Sequence, residues 1–116
     1  MVMPLNTIRM LLATGVVLVA ALPAAAQDPK VAQGEKVYAA QKCQSCHAIS
    51  GKGNKANSLD GVGGKLSADD IRQWIVDPKG MTTKTKATGK PPMPPRYATL
   101  PAADVDSLVA YMLSLK

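Results

Sequence analysis

Apolar positions along the chain fall into three helical patterns, separated by polar, turn-rich stretches and preceded by one continuous apolar run. In the first pattern Val31, Gly34, Tyr38 and Ala39 lie on or near one face. Asp28-Pro29 supplies a favoured N-cap and first-position pair, which predicts a helix from there to about Cys43. Gly34 in a helix interior costs about 1 kcal/mol relative to Ala. Its use predicts that another helix crosses close to it. In the second pattern Ile71, Trp74 and Ile75 share a face. Ser67 is its N-cap, Asp70 stands where a capping box has Glu, and Leu66 and Ile71 are spaced as a hydrophobic staple. Asp77-Pro78 ends this helix, because a residue before proline is pushed out of the helical region. The third pattern starts near Pro101 and runs to the end, with Leu108, Tyr111, Met112 and Leu115 spaced i, i+3, i+4, i+7. Asp104 and Asp106 in its early turns and Lys116 at its end suit the helix macrodipole. No alternating strand pattern is present. The expectation is an all-α domain of three main helices, in which residues 48–65 and 79–99 are long loops. Loops of that length in a small domain need a reason, and wrapping a cofactor is one.

The apolar run, Met10 to Leu22, follows a weakly basic start and is closed by Pro23-Ala24-Ala25-Ala26. This is the layout of a secretory signal peptide spanning residues 1–26, with cleavage between Ala26 and Gln27. A retained membrane anchor is the alternative, but a spanning helix needs about 20 apolar residues and this run is shorter. Cleavage predicts a periplasmic protein with no stable membrane span, whose single domain, residues 27–116, has 90 residues.

A domain of that size struggles to bury enough surface without a staple. This one has no Phe, one Trp and three Tyr, and its two cysteines, three positions apart, could close only a tiny disulfide loop. Something else must fill the core. The net charge of +6 becomes +5 when Arg9 leaves with the leader, and the lysines are scattered rather than clustered. With little aromatic interleaving, this argues against nucleic acid and for redox partners with acidic surfaces, met by a monomer. Lys42, Lys52 and Lys90 are the candidates for a positive docking rim.

Cys43-Gln44-Ser45-Cys46-His47 is the decisive motif, the C-x-x-C-H signature of c-type haem attachment. Two thiols at this spacing can add to the two vinyl groups of one haem, and the adjacent imidazole can fill the proximal iron position. Other readings fit less well. A thioredoxin-type dithiol needs a strand leading into the motif. A structural disulfide leaves His47, the one histidine of the chain, without a role. Zinc needs a further Cys or His. The opposite face of the iron either stays open or takes a second ligand, for which methionine and lysine are the candidates. Met112 lies on the packing face of the last helix, and Met81 is only three residues past Pro78. Met93 stands in Lys90-Pro91-Pro92-Met93-Pro94-Pro95, where flanking prolines restrict the backbone and suit a weak thioether ligand.

Taken together, these segments resemble class I cytochromes c over nearly the whole of residues 27–116. Gly34 and Tyr38 with the Cys43–His47 motif look like that family's first helix and haem-binding turn, and Leu108 and Tyr111 like its last helix. Leu59-Asp60-Gly61-Val62 resembles the proximal loop, Trp74–Pro78 the helix lining the distal pocket, and Met93-Pro94-Pro95 with Leu100 the methionine-ligand segment. The resemblance implies a haem c iron held by His47 and Met93, with the Trp74 ring against the haem; the bland alternative for Trp74 is a core residue. One position departs from the family. Asn57 stands where a proline usually offers its carbonyl to the ligand imidazole. A carbonyl survives this change; the stiffness of a prolyl ring does not.

The function so implied is single-electron transfer by an electron carrier, not an enzyme. The alternatives are a dedicated haem subunit of a periplasmic dehydrogenase and a ligand-binding haem protein with a labile methionine. If the cofactor fills the core, Cys43→Ser combined with Cys46→Ser should yield a poorly folded, haem-free chain, checked by circular dichroism and a pyridine assay for thioether-bound haem.

Overall fold

The computed structural model describes residues 15–20 and 27–116. Most of the expected leader therefore lies outside the described residues, and residues 15–20 carry no regular secondary structure. The domain is built from five α-helices: α1 (Pro29–Ala40), α2 (Val62–Lys65), α3 (Ala68–Val76), α4 (Pro78–Thr85) and α5 (Ala102–Ser114). A two-residue hairpin, β1 (Ala48–Ile49) with β2 (Lys52–Gly53), pairs Ala48 with Gly53 and Ile49 with Lys52. Short 3-10 turns cover Cys43–Ser45, Lys55–Asn57 and Pro95–Thr99.

The three expected helices are present. Helix α1 starts where Asp28 caps it, its carboxylate accepting from the Lys30 N–H at 2.8 Å with Pro29 at the first position. It ends at Ala40 rather than near Cys43, because Lys42 takes a left-handed backbone (φ 55°) and turns the chain into the Cys43–Ser45 turn. Helix α3 is capped by the Ser67 hydroxyl, which accepts from the Asp70 N–H at 3.1 Å. Only half of a capping box forms, since the Asp70 carboxylate faces Lys84 at 3.4 Å instead. Leu66 packs against the core that contains Ile71, as the staple spacing requires. Helix α5 buries Val105, Leu108, Val109 and Met112.

Residues 48–65 and 79–99 are not plain loops. The first holds the hairpin and α2, and the second opens with most of α4. Asp77-Pro78 does end α3, but it also begins α4, with the Asp77 carboxylate accepting from the Gly80 N–H at 3.0 Å. An Asp-Pro pair like the one that announces α1 therefore serves here as both a stop and a start.

The crossing of α1 and α5 is the main packing contact. A Cβ on Gly34 would run into the Ser107 carbonyl oxygen and the Tyr111 Cβ, so only glycine allows this approach. Beside it Tyr38 and Tyr111 meet edge to face, with ring centroids 5.8 Å apart and planes at 81°. Helix α2 is fastened to the end of α5 in the same way. Gly63 presses on the Leu113 carbonyl, its N–H donates to the Leu115 carbonyl at 2.8 Å, and Lys116 Nζ donates to the Gly63 carbonyl at 3.0 Å. An ion pair between Arg72 and Asp106 at 2.6 Å ties α3 to α5. Gly34→Ala should cost about 1–3 kcal/mol by overpacking this crossing, measured as a lower denaturant midpoint.

Candidate functional site

A cavity of about 350 Å³ lies between these elements. Its walls are mostly apolar and come from all five helices and the segment after α4; Leu59, Ile71, Ile75, Leu108 and Met112 are typical of them. Protein interiors pack nearly as tightly as organic crystals and rarely hold voids much larger than a water. A hollow of this size in a small domain is the shape of a missing core.

All five residues singled out from the sequence line this cavity: Cys43, Cys46, His47, Trp74 and Met93. The Cys43–His47 segment is held rigidly from behind. The N–H groups of Cys46 and His47 donate to the Cys43 carbonyl at 3.1 and 3.0 Å. The Asn54 N–H donates to both the Gln44 and His47 carbonyls at 3.1 Å. Gly53, at φ +108°, lies so close to the His47 carbonyl that no side chain could replace its hydrogen. Both thiols are free and half-buried. Burial raises the Cys43 thiol above its ordinary pKa, partly offset by its own backbone hydrogen bond and by the Arg96 guanidinium.

The His47 imidazole is fixed by one strong contact, Nδ1–H donating to the Asn57 carbonyl at 3.1 Å. That bond sets the tautomer and leaves Nε2 as the lone-pair nitrogen. Burial holds His47 below its ordinary pKa, with the Asn57 bond pulling partly the other way. Burial thus favours the neutral ring, the form that binds a metal.

Of the methionines weighed as a second ligand, Met93 lines the cavity and is half-buried. Met112 lines it too but is buried in the core on α5, as its helical spacing predicts. Met81 is buried in α4 and is not among the lining residues. Trp74 lines the cavity from α3 and is half-buried, which is compatible with both of its readings. Lys42 lies exposed at the cavity, while Lys52 and Lys90 are exposed and do not line it.

Some participants escaped the sequence reading. Thr82 and Ala87 reach the cavity only because α4 exists, and the Asp77-Pro78 start signal could have revealed it. Tyr97 is buried against the cavity, with Arg96 donating to its hydroxyl at 2.8 Å; nothing in its spacing marks it. The Asn57 side chain also bonds into the motif, donating to the Cys46 carbonyl at 3.3 Å.

The residues present fit a covalently attached haem. Two thiols, an imidazole and a thioether converge on an apolar cavity in a chain with no Phe and a single Trp. Comparison with known proteins agrees. The family model for cytochrome c matches residues 31–116. A cytochrome c oxidase subunit 2 of Alkalihalophilus pseudofirmus is 28% identical over 93 residues, covering 72% of this chain and 25% of that protein. The chain thus spans about a quarter of the length of that relative. No solved structure matches at a comparable level.

The phenol of Tyr38 gives the site a signature in alkali. Its hydroxyl is buried without a hydrogen-bond partner. Burial, then the neighbouring Cys43 and Tyr111, push its pKa up to about 12. An unfolded tyrosine ionises near pH 10, so between these values the unfolded state binds fewer protons and stability falls as pH rises. Urea unfolding of the haem-loaded protein should show this decline above about pH 10, and Tyr38→Phe should weaken it, leaving the smaller part that buried Tyr111 contributes in the same direction.

Proposed function

We propose, from the premise that the chain belongs to the cytochrome c family, that it is a free monohaem carrier of single electrons. Membership in the family, with Cys43, Cys46 and His47 in their motif, implies covalent haem c, electron transfer and redox partners. The finer reading is that His47 Nε2 and the Met93 sulfur are the axial ligands, and that Trp74 packs against the haem. The observation that carries it is the convergence of His47, both thiols and Met93 on one apolar cavity from which Met81 is absent.

When bound, the haem supplies a one-electron iron couple. The protein's part is to hold that couple without large rearrangement. If His47 and Met93 both held the haem, no position would be left for a substrate, and the chemistry supplied there would be electron transfer. The apolar walls disfavour the extra charge of the oxidised state, and a methionine ligand raises the potential relative to other axial partners. Asn57 O and the backbone bonds behind the motif keep the imidazole in one orientation.

We assign residues 1–26 to a cleaved leader and 27–116 to the carrier domain, on the sequence pattern. Cytochrome c domains are usually extracytoplasmic, and a periplasmic site follows from that together with the leader. Among the described residues no helix is long and apolar enough to cross a membrane. We further assign monomeric encounters with acidic surfaces of redox partners, and no role with nucleic acid, from the scattered lysines, Lys42 at the cavity foremost. Such contacts belong at the small, transient end of interface size.

A second reading, a haem-bearing subunit of a larger oxidoreductase, draws on the relative, an oxidase subunit four times the length of the shared stretch. Purification at high salt separates the two, since an electrostatically steered carrier dissociates and a subunit stays attached. A third, a ligand-binding haem protein, requires a loose Met93. Met93→Ala should open the iron, lower the potential and make the reduced protein bind carbon monoxide quickly, whereas wild type should bind it poorly at neutral pH. Full, rapid binding by wild type would overturn the carrier reading, and an unchanged spectrum in Met93→Ala would move the ligand elsewhere.

A further inference from the structure

We infer that Asn57 is a two-ended clamp on the iron-binding imidazole, its carbonyl holding the ring and its side-chain amide holding the backbone beside it. The inference rests on the haem reading of the cavity and goes beyond it, to what keeps His47 in place.

The geometry is direct. Asn57 O accepts from His47 Nδ1–H at 3.1 Å, and Asn57 Nδ2 donates to the Cys46 carbonyl at 3.3 Å. Both bonds end on adjacent residues, so the ring and the peptide beside it are referenced to one residue, the ring to its backbone carbonyl and the peptide to its side chain. All three residues are half-buried, which limits competition from water. The 3-10 turn restrains Asn57 through its N–H at 3.4 Å, and the amide bond adds a second restraint from the side that faces the motif.

Asparagine also suits the local backbone in a way that proline does not. Asn57 closes the 3-10 turn Lys55–Asn57, and its N–H reaches the Asn54 carbonyl at 3.4 Å. A proline here would lose that contact and would push Ala56 away from the helical conformation it holds in the turn. The turn itself is started by Asn54, whose side chain accepts from the Ala56 N–H at 3.0 Å. Stiffness that a pyrrolidine ring could supply through φ is supplied here by a hydrogen bond.

Asn57 is thus a positioning residue. A firm Nδ1–H···O bond raises the donor strength of the imidazole and favours oxidised iron. Loosening it favours reduced iron. The net worth of such a bond predicts that Asn57→Ala and Asn57→Ser raise the reduced-to-oxidised ratio at a fixed solution potential by about threefold. Exchange of the His47 Nδ1 proton with solvent, read by NMR, should quicken about tenfold over wild type.

Ser58→Ala is the comparison. It removes a side-chain bond of the same loop, the Asp60 N–H to the Ser58 hydroxyl at 3.2 Å, without touching Cys46 or His47, and should lower the unfolding midpoint while leaving ratio and proton exchange near wild type. Unchanged ratio and exchange in haem-loaded Asn57 variants would overturn the clamp, and so would an equal shift in Ser58→Ala, which would reduce Asn57 to general loop stability. If Asn57→Ala fails to take up haem, the milder Asn57→Ser is read by the same two measurements and decides. A pyridine assay on the wild type separates the two levels of failure. Wild type without thioether haem would remove the reading of the cavity itself, and the clamp with it, whereas haem-loaded variants with wild-type values would remove only the clamp.

Discussion

The fold depends on two helices touching backbone to backbone. At Gly34 the first helix comes so near the Ser107 carbonyl of the last that a single methyl group would force them apart. That closeness sets the position of everything on either helix. It seats Tyr38 edge-on to Tyr111, and it turns Val37, Leu108 and Met112 into one buried cluster. The Cys43–His47 segment leaves the end of the first helix through a tight left-handed residue, Lys42, so its orientation is inherited from the same crossing. A glycine that is unfavourable for the isolated helix is therefore favourable for the protein, because tertiary packing outweighs helix propensity.

The second constraint is shortage. A chain with no Phe and one Trp cannot close its own interior, and what remains is a cavity with apolar walls. The residues that surround it come from segments far apart in sequence, which makes the cavity a joint product of all the helices rather than of one motif. Stability and function then share a cause. The group that would bring redox chemistry would also complete the core, and losing its attachment costs both at once.

The site and the fold were legible to different degrees. Cys43, Cys46 and His47 could be read because their chemistry requires a fixed spacing along the chain. Gly34 could be read because a helix tolerates it only for a reason. Met93 was reached by its prolines, and it lines the cavity. What escaped was whatever depends on two signals overlapping or on contacts across the fold. Asp77-Pro78 was legible as a stop, and its simultaneous role as a start hid α4 and with it Thr82. The hairpin has strands of two residues, too short for any alternating pattern to develop. Asn57 could be identified as a departure from proline, but its amide bond to Cys46 exists only once the turn brings the two together.

Between buried Met81 and half-buried Met93 the chain runs almost wholly in solvent: from Thr83 to Pro92 every residue is exposed. Even so, Ala87, Gly89, Pro91 and Pro92 line the cavity, while Lys86, Thr88 and Lys90 line neither it nor the core. Doubling a flexible loop adds only about 0.6 kcal/mol of closure entropy. A lineage could therefore add residues at the outward positions of this strap at small thermodynamic expense, acquiring new surface for recognition while the cavity wall is inherited intact.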